Sequence, residues 1–154
     1  ACSFPNSLVD CMVPATGPNE LAVVEEFGLH DQVPVTHEAF RQWVIEDDFC
    51  AGRPDWDLAG ATFSDHVHAF EAMKIRILNG GHQVLANAGE VLSLATISAA
   101  MGDADVAPFF AKVVREEIAP HVQPVPDMTP ADYVMLIERR FGNEMMLPPA
   151  KMEQ

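Results

Sequence analysis

Apolar and polar positions follow two different rhythms along this chain, changing at about residue 64. The first third is irregular. Asn6-Ser7 and the stretch from Pro14 to Pro18 mark turns, and Asn19 stands where it can cap a short helix that runs through Phe27 and ends at Gly28. Val33, Pro34 and Val35 favour extended chain, as do the aromatic and β-branched residues of Gln42-Trp-Val-Ile-Glu46 and the brief Ala61-Thr-Phe-Ser64. From Asp65 onward the spacing is helical. Asp65 begins a helix that carries Glu71 to His82. Glu90 through Met101, rich in Ala, Leu, Ile and Ser and stopping at Gly102, reads as one buried helix. Asp103 or Asp105 caps the next, with Phe109, Phe110, Val113, Val114 and Ile118 as its apolar stripe and Pro120 closing it. Pro120, Pro124 and Pro126 form a rigid connection. Thr129-Pro130 then gives a cap and a first helical position for a helix bearing Tyr133, Leu136, Ile137 and Phe141, ended by Gly142-Asn143.

Composition narrows the classes. A chain of 154 residues with 49% hydrophobic content can bury a single sizeable core, so one domain with short tails is expected. The formal charge of -14 argues against sequence-independent nucleic-acid binding and against an anionic membrane surface, both of which need Lys and Arg. Cys2, Cys11 and Cys50 are odd in number and lack Cys-x2-Cys spacing, which suits free thiols in a reducing cytoplasm. No apolar run approaches the span of a bilayer. The sequence therefore reads as a soluble cytoplasmic domain. Met145-Met146-Leu147 is apolar and either covers the core or meets a partner, and Lys151 to Gln154 reads as a frayed tail.

Candidate chemistry concentrates in Glu71-Ala-Met-Lys74-Ile-Arg-Ile-Leu-Asn79-Gly-Gly-His82. On an ideal α-helix Glu71, Asn79 and His82 lie at roughly 60°, 140° and 80° from Lys74, so all four share one broad face. An amine flanked by Ala72, Met73, Ile75, Ile77 and Leu78 is expected to be partly desolvated, which lowers its pKa and fits it to take a proton from an alcohol. The amide and imidazole can hold the alcohol oxygen as charge develops, and Glu71 can pass the proton to water. Residue types alone leave a plainer alternative open: a solvated Glu–Lys pair, a helix end at Asn79-Gly-Gly, and a structural histidine. A metal site on His66, His68 and Glu71 would need an extended backbone there, and no Gly-x-Ser-x-Gly turn supports a hydrolytic triad.

Lys-x4-Asn-x2-His preceded by Phe70-Glu-Ala-Met resembles the signature of the long-chain mannitol dehydrogenase family, which includes fructuronate reductases. Ser3-Phe-Pro-Asn-Ser-Leu-Val-Asp10, Phe40-Arg-Gln-Trp-Val-Ile-Glu-Asp47 and Gly52-Arg-Pro54 are similar to other family segments in the same order, and the similarity continues through Glu116-Glu-Ile-Ala-Pro120, Pro124-Val-Pro126 and Arg139-Arg-Phe-Gly-Asn143. The resemblance implies a mainly α fold, the multi-helix C-terminal domain of a 6-phosphogluconate-dehydrogenase-like type with a few short extended segments. It implies reversible, zinc-independent hydride transfer between NAD or NADP and a polyol, ketose or ketouronate. Lys74 would be the general base for oxidation and the acid for reduction, Asn79 would polarise the reacting oxygen, and His82 would bind substrate hydroxyls. Glu71 would gate a proton path, and Asp10 would lie near the nicotinamide and substrate.

Three departures bound that expectation. The family usually has Val-Asp-Arg-Ile/Met-Thr-Pro where this chain reads Val9-Asp-Cys11-Met-Val-Pro14, losing a positive charge and a hydroxyl. No Gly-x-Gly-x-x-Gly occurs, so NAD or NADP is expected to be held mainly by a dinucleotide-binding domain upstream or on another chain. The family's Asp-Gly-Ser-x-Lys-like block is also missing. Two readings remain: the catalytic-base domain of a polyol or uronate oxidoreductase, with little turnover alone, or a truncated and inactive relative that serves as a sugar-binding or interaction module.

Overall fold

A computed structural model of the chain describes residues 2–13 and 15–143. Pro14, Met145-Met146-Leu147 and Lys151 to Gln154, named above, lie outside them. Three short strands and a set of helices make up the described fold, in keeping with the mainly helical expectation. Strand β1 (Ser7–Asp10) pairs antiparallel with β2 (Gln42–Ile45), with Val9 opposite Trp43, and β2 pairs parallel with β3 (Thr62–Phe63). Extended chain at residues 42–46 and 61–64 was expected and is found. Ser7, expected in a turn, instead opens β1, because β2 supplies a partner that local propensity does not reveal. Period-two alternation turns Leu8 and Asp10 to the inner side of β1 while Val9 stays outward and exposed.

Helix α1 (Pro18–Glu26) buries none of its side chains. Its cap is Gly17 rather than the expected Asn19: Pro18 fits the first helical position and the Glu20 carboxylate accepts the Gly17 N–H at 2.8 Å. A one-turn 3-10 helix (Trp56–Ala59) lies before β3, and Trp56 stacks on Trp43.

The centre of the fold is one continuous helix from 67 to 91. It consists of α2 (Val67–Met73), a π-helical segment (Lys74–Asn79) and α3 (Gly80–Val91). Its N-cap is His66 rather than Asp65, and Ser64 Oγ accepts the His66 N–H at 3.0 Å. Asn79-Gly-Gly does not end the helix. Gly81 is buried where a Cβ would stand 3.0 Å from Phe110 Cε2, so the glycine allows α3 to approach α5 (Val106–Lys112) closely.

The single helix expected over Glu90 to Met101 is broken. Ser93 takes a left-handed conformation (φ 57°), Leu94 N–H returns to the Gly89 carbonyl at 2.8 Å, and Thr96 caps a separate α4 (Ile97–Gly102). This turn folds α4 back on α3, where Gly89 lies against Ala100. Asp103 caps α5 by accepting from the Asp105 and Val106 N–H groups at 3.0 Å. A second π segment (Val113–Ile118) and a 3-10 turn (Ala119–His121) follow α5. Of the expected stripe, Phe110 and Val114 are fully buried while Phe109 faces solvent. Helix α6 (Pro130–Phe141) starts at the Thr129 cap as expected and buries Tyr133, Val134, Ile137, Arg140 and Phe141. Ile77, Leu85, Phe110, Val114, Ile137 and Phe141 form the heart of the core.

Candidate active site

Lys74 lies at the point where α2 passes into the π segment, half-buried, and its Nζ donates to the Val9 carbonyl of β1 at 2.7 Å. In a π-helix the backbone ladder runs from i to i+5, as from Gly80 N–H to the Ile75 carbonyl. Residues five apart are thereby joined through the backbone. Lys74 and Asn79 are the first and last residues of this segment. The α-helical ladder then resumes, and His82 follows Asn79 by three positions on the next turn.

Asn79 and His82 line a cleft of ≈ 300 Å³ together with Met12, Val13, Leu78 and Gln83. Its opposite wall is therefore the segment that leaves β1 only three residues after the lysine's anchor at Val9. Neither the Asn79 amide nor the His82 ring makes a hydrogen bond among the described residues, and both are open to a ligand. Burial lowers the His82 pKa below the usual imidazole value, so the ring is neutral near pH 7, with one nitrogen to donate and one to accept. Its ring meets Phe141 edge-on at 6.0 Å between centroids. Glu71 is exposed and pairs with His68 at 3.3 Å. A larger hollow beside α4, lined by Thr96, Ser98, Met101 and Asp103, holds none of these groups. Among the described residues no group of three or more His, Cys, Asp or Glu side chains is arranged to hold a metal ion.

Asp10 ends β1 with its side chain 1% exposed. Arg140 Nη1 and Nη2 donate to its two oxygens at 3.1 and 2.9 Å, and the Tyr133 hydroxyl donates to Oδ2 at 2.7 Å. Arg140 also donates to Glu38, from Nε at 3.0 Å and from Nη2 at 2.6 Å, and lies 4.2 Å over the Phe40 ring. Burial opposes the Arg140 charge, but the hydrogen bonds it donates to Asp10 and Glu38 outweigh it and hold the guanidinium firmly protonated. Burial, followed by the Asp10 charge, drives the Tyr133 pKa far up, so its hydroxyl keeps its proton. Cys11, where a family arginine was expected, has its thiol pKa pushed up by burial and by Glu38 and Asp10. The sequence reading did not find Arg140, Tyr133 or Glu38.

A family profile described as the mannitol dehydrogenase C-terminal domain matches residues 66–147, more than half of the chain. The chain belongs to the mannitol dehydrogenase family. The family's Rossmann-domain profile matches residues 1–58, so the first third carries sequence of that domain's kind without its glycine fingerprint. Mannitol 2-dehydrogenase of Cereibacter sphaeroides is 56% identical over 141 residues, covering 92% of this chain and 30% of that enzyme. D-mannonate oxidoreductase of Escherichia coli is 40% identical over 147 residues, covering 92% of this chain and 29% of the relative.

Among solved structures, a substrate-free D-sorbitol dehydrogenase superposes with a TM-score of 0.83 at 30% identity, over 94% of this chain and 30% of that one. A ternary complex of Pseudomonas fluorescens mannitol 2-dehydrogenase with NAD and D-mannitol gives 0.80 at 34% identity, over 96% and 30%. The chain thus spans about three tenths of the length of the mannitol dehydrogenase relatives it matches. No described helix is long and apolar enough to cross a membrane.

Proposed function

We propose that this chain is the substrate-binding and catalytic-base part of an NAD(P)-dependent polyol or ketouronate oxidoreductase. The observation that carries the proposal is the Asn79 amide, unpaired among the described residues, and the neutral His82 ring on one cleft wall, on the same helix as a lysine anchored by its amine to the facing strand. The Lys74 amine donates to the Val9 carbonyl, and once it has given up its extra proton its lone pair can face a substrate hydroxyl. In oxidation the hydroxyl proton passes to Lys74 while the carbinol hydride leaves, and the C–O bond becomes a carbonyl. Asn79 donates to the oxygen as it gains negative charge, and the His82 ring holds a neighbouring hydroxyl. In reduction Lys74 returns the proton. Glu71, exposed beside the lysine, exchanges that proton with water. NAD or NADP supplies the hydride acceptor when bound, held mainly by a dinucleotide-binding domain upstream or in trans. The apolar cleft wall of Met12, Val13 and Leu78 suits a nicotinamide face, and Asp10 stands two residues before Met12 in the chain.

Similarity to oxidoreductases across nine tenths of the chain does not favour the reading of an inactive sugar-binding module. The proposal extends to the fold type, 6-phosphogluconate-dehydrogenase-like, and to a cytoplasmic setting for the free thiols of Cys2, Cys11 and Cys50. NADH oxidation with fructose, fructuronate and tagaturonate, measured for the chain alone and mixed with a family cofactor domain, tests the function. Turnover is expected in the mixture and little in the chain alone. Lys74→Ala should lower it by about 10²- to 10⁴-fold, the usual contribution of a positioned acid–base group. A folded chain without turnover in any mixture would sink the proposal.

A further inference from the structure

We propose that Arg140, with Tyr133 and Glu38, positions Lys74 by fixing the peptide between Val9 and Asp10. The carbonyl that accepts from Lys74 Nζ at 2.7 Å belongs to that peptide. A peptide unit is planar, so its carbonyl direction is set by the two residues it joins. One of them, Asp10, is the residue whose side chain is held most tightly: two bonds from Arg140 and one from Tyr133, on a carboxylate 1% exposed.

The other side of Asp10 is held as well. Met12 N–H donates to Glu38 Oε1 at 2.8 Å, and Glu38 N–H donates to the Met12 carbonyl at 3.2 Å. Glu38 is itself bound twice by the same guanidinium. One cation therefore joins two buried carboxylates that would otherwise repel, and closes a clamp around residues 10–12. Arg140 sits in the last turn of α6, so the final described helix sets where the amine of Lys74 rests. The planar fork of arginine suits this task, because it reaches both anions in fixed directions.

This inference rests on the reading of Lys74 as the acid–base residue, but its test does not require turnover. The 15Nζ resonances of Lys74 and of the exposed Lys112 would be followed by NMR through a pH titration in the unaltered chain, in Tyr133→Phe, in Glu38→Gln and in Arg140→Lys. Each variant removes part of the clamp, and Tyr133→Phe and Glu38→Gln leave the Arg140–Asp10 pair in place for folding. Helical circular dichroism selects the folded variants. The expected result is a shifted Lys74 resonance and a displaced Lys74 titration midpoint in every folded variant, with Lys112 unmoved. Variants that melt lower while the Lys74 resonance and midpoint keep their original values would overturn the inference, leaving the cluster a purely structural one. Loss of activity in Lys74→Ala together with that result would uphold the catalytic reading and reject only the positioning role.

Discussion

His82 is half-buried against Phe141, and its charged form is disfavoured there. The folded chain therefore takes up a proton at His82 less readily than the unfolded chain, whose imidazole titrates at about 6.5. Above that pH neither state is charged and the contribution to stability is complete. As pH falls below about 6.5 the unfolded chain gains protons first, so stability is lost until the folded ring also titrates. Proton NMR of the ring should give a midpoint below the usual imidazole value, and urea unfolding should show stability falling with acidification in this window. His82→Gln should flatten that dependence. At the same scale Arg140 was legible in principle. Tyr133, Ile137 and Arg140 follow at intervals of four and three on α6, which places the arginine on the buried stripe. A charge on such a stripe calls for a buried counter-charge, and Asp10 shares the inner side of β1 with Leu8. The pairing itself was out of reach, because 130 residues separate the partners and nothing local links them.

Elements with strong punctuation were readable, and those shaped by tertiary contact were not. Thr129-Pro130 marked α6 because a side-chain cap and a proline at the first turn act within four residues. The break after Val91 carried no Gly or Pro, and it forms because α4 packs back on Gly89. The π segment is likewise invisible to a pattern read at the α-helical period, so the angles that an ideal α-helix gives for Glu71, Asn79 and His82 about Lys74 do not carry across it. The glycines that follow are opposite cases. A Cβ on Gly80 would find its nearest neighbours at 3.8 Å, whereas one on Gly81 would meet the fully buried Phe110 ring at 3.0 Å. Gly80→Ala should stabilise the chain by about 0.5–1 kcal/mol, since alanine loses less freedom in a helix. Gly81→Ala should destabilise it, overpacking of about 1–3 kcal/mol exceeding the same gain. Thermal melts of the two variants should move in opposite directions.

At the scale of the molecule, 23 acidic side chains against 9 basic ones leave -14 charges on one compact body. Self-repulsion opposes folding and is screened by salt, with a Debye length of about 30 Å at 0.01 M and about 10 Å at 0.1 M. The melting temperature should therefore rise between these two NaCl concentrations, most steeply at the low end; a flat or falling trend would show that exposed pairs such as Arg115–Glu138 dominate instead. Arg140 gives the molecule a further property. It ties residue 10 to residue 140, so the described chain is closed into a ring by a bond buried beneath Phe40. Neither margin of the domain can peel away while that knot holds, and breaking it strands two carboxylates in the interior. Unravelling from either side thus meets the same obstacle, and the domain should come apart as a whole rather than strand by strand.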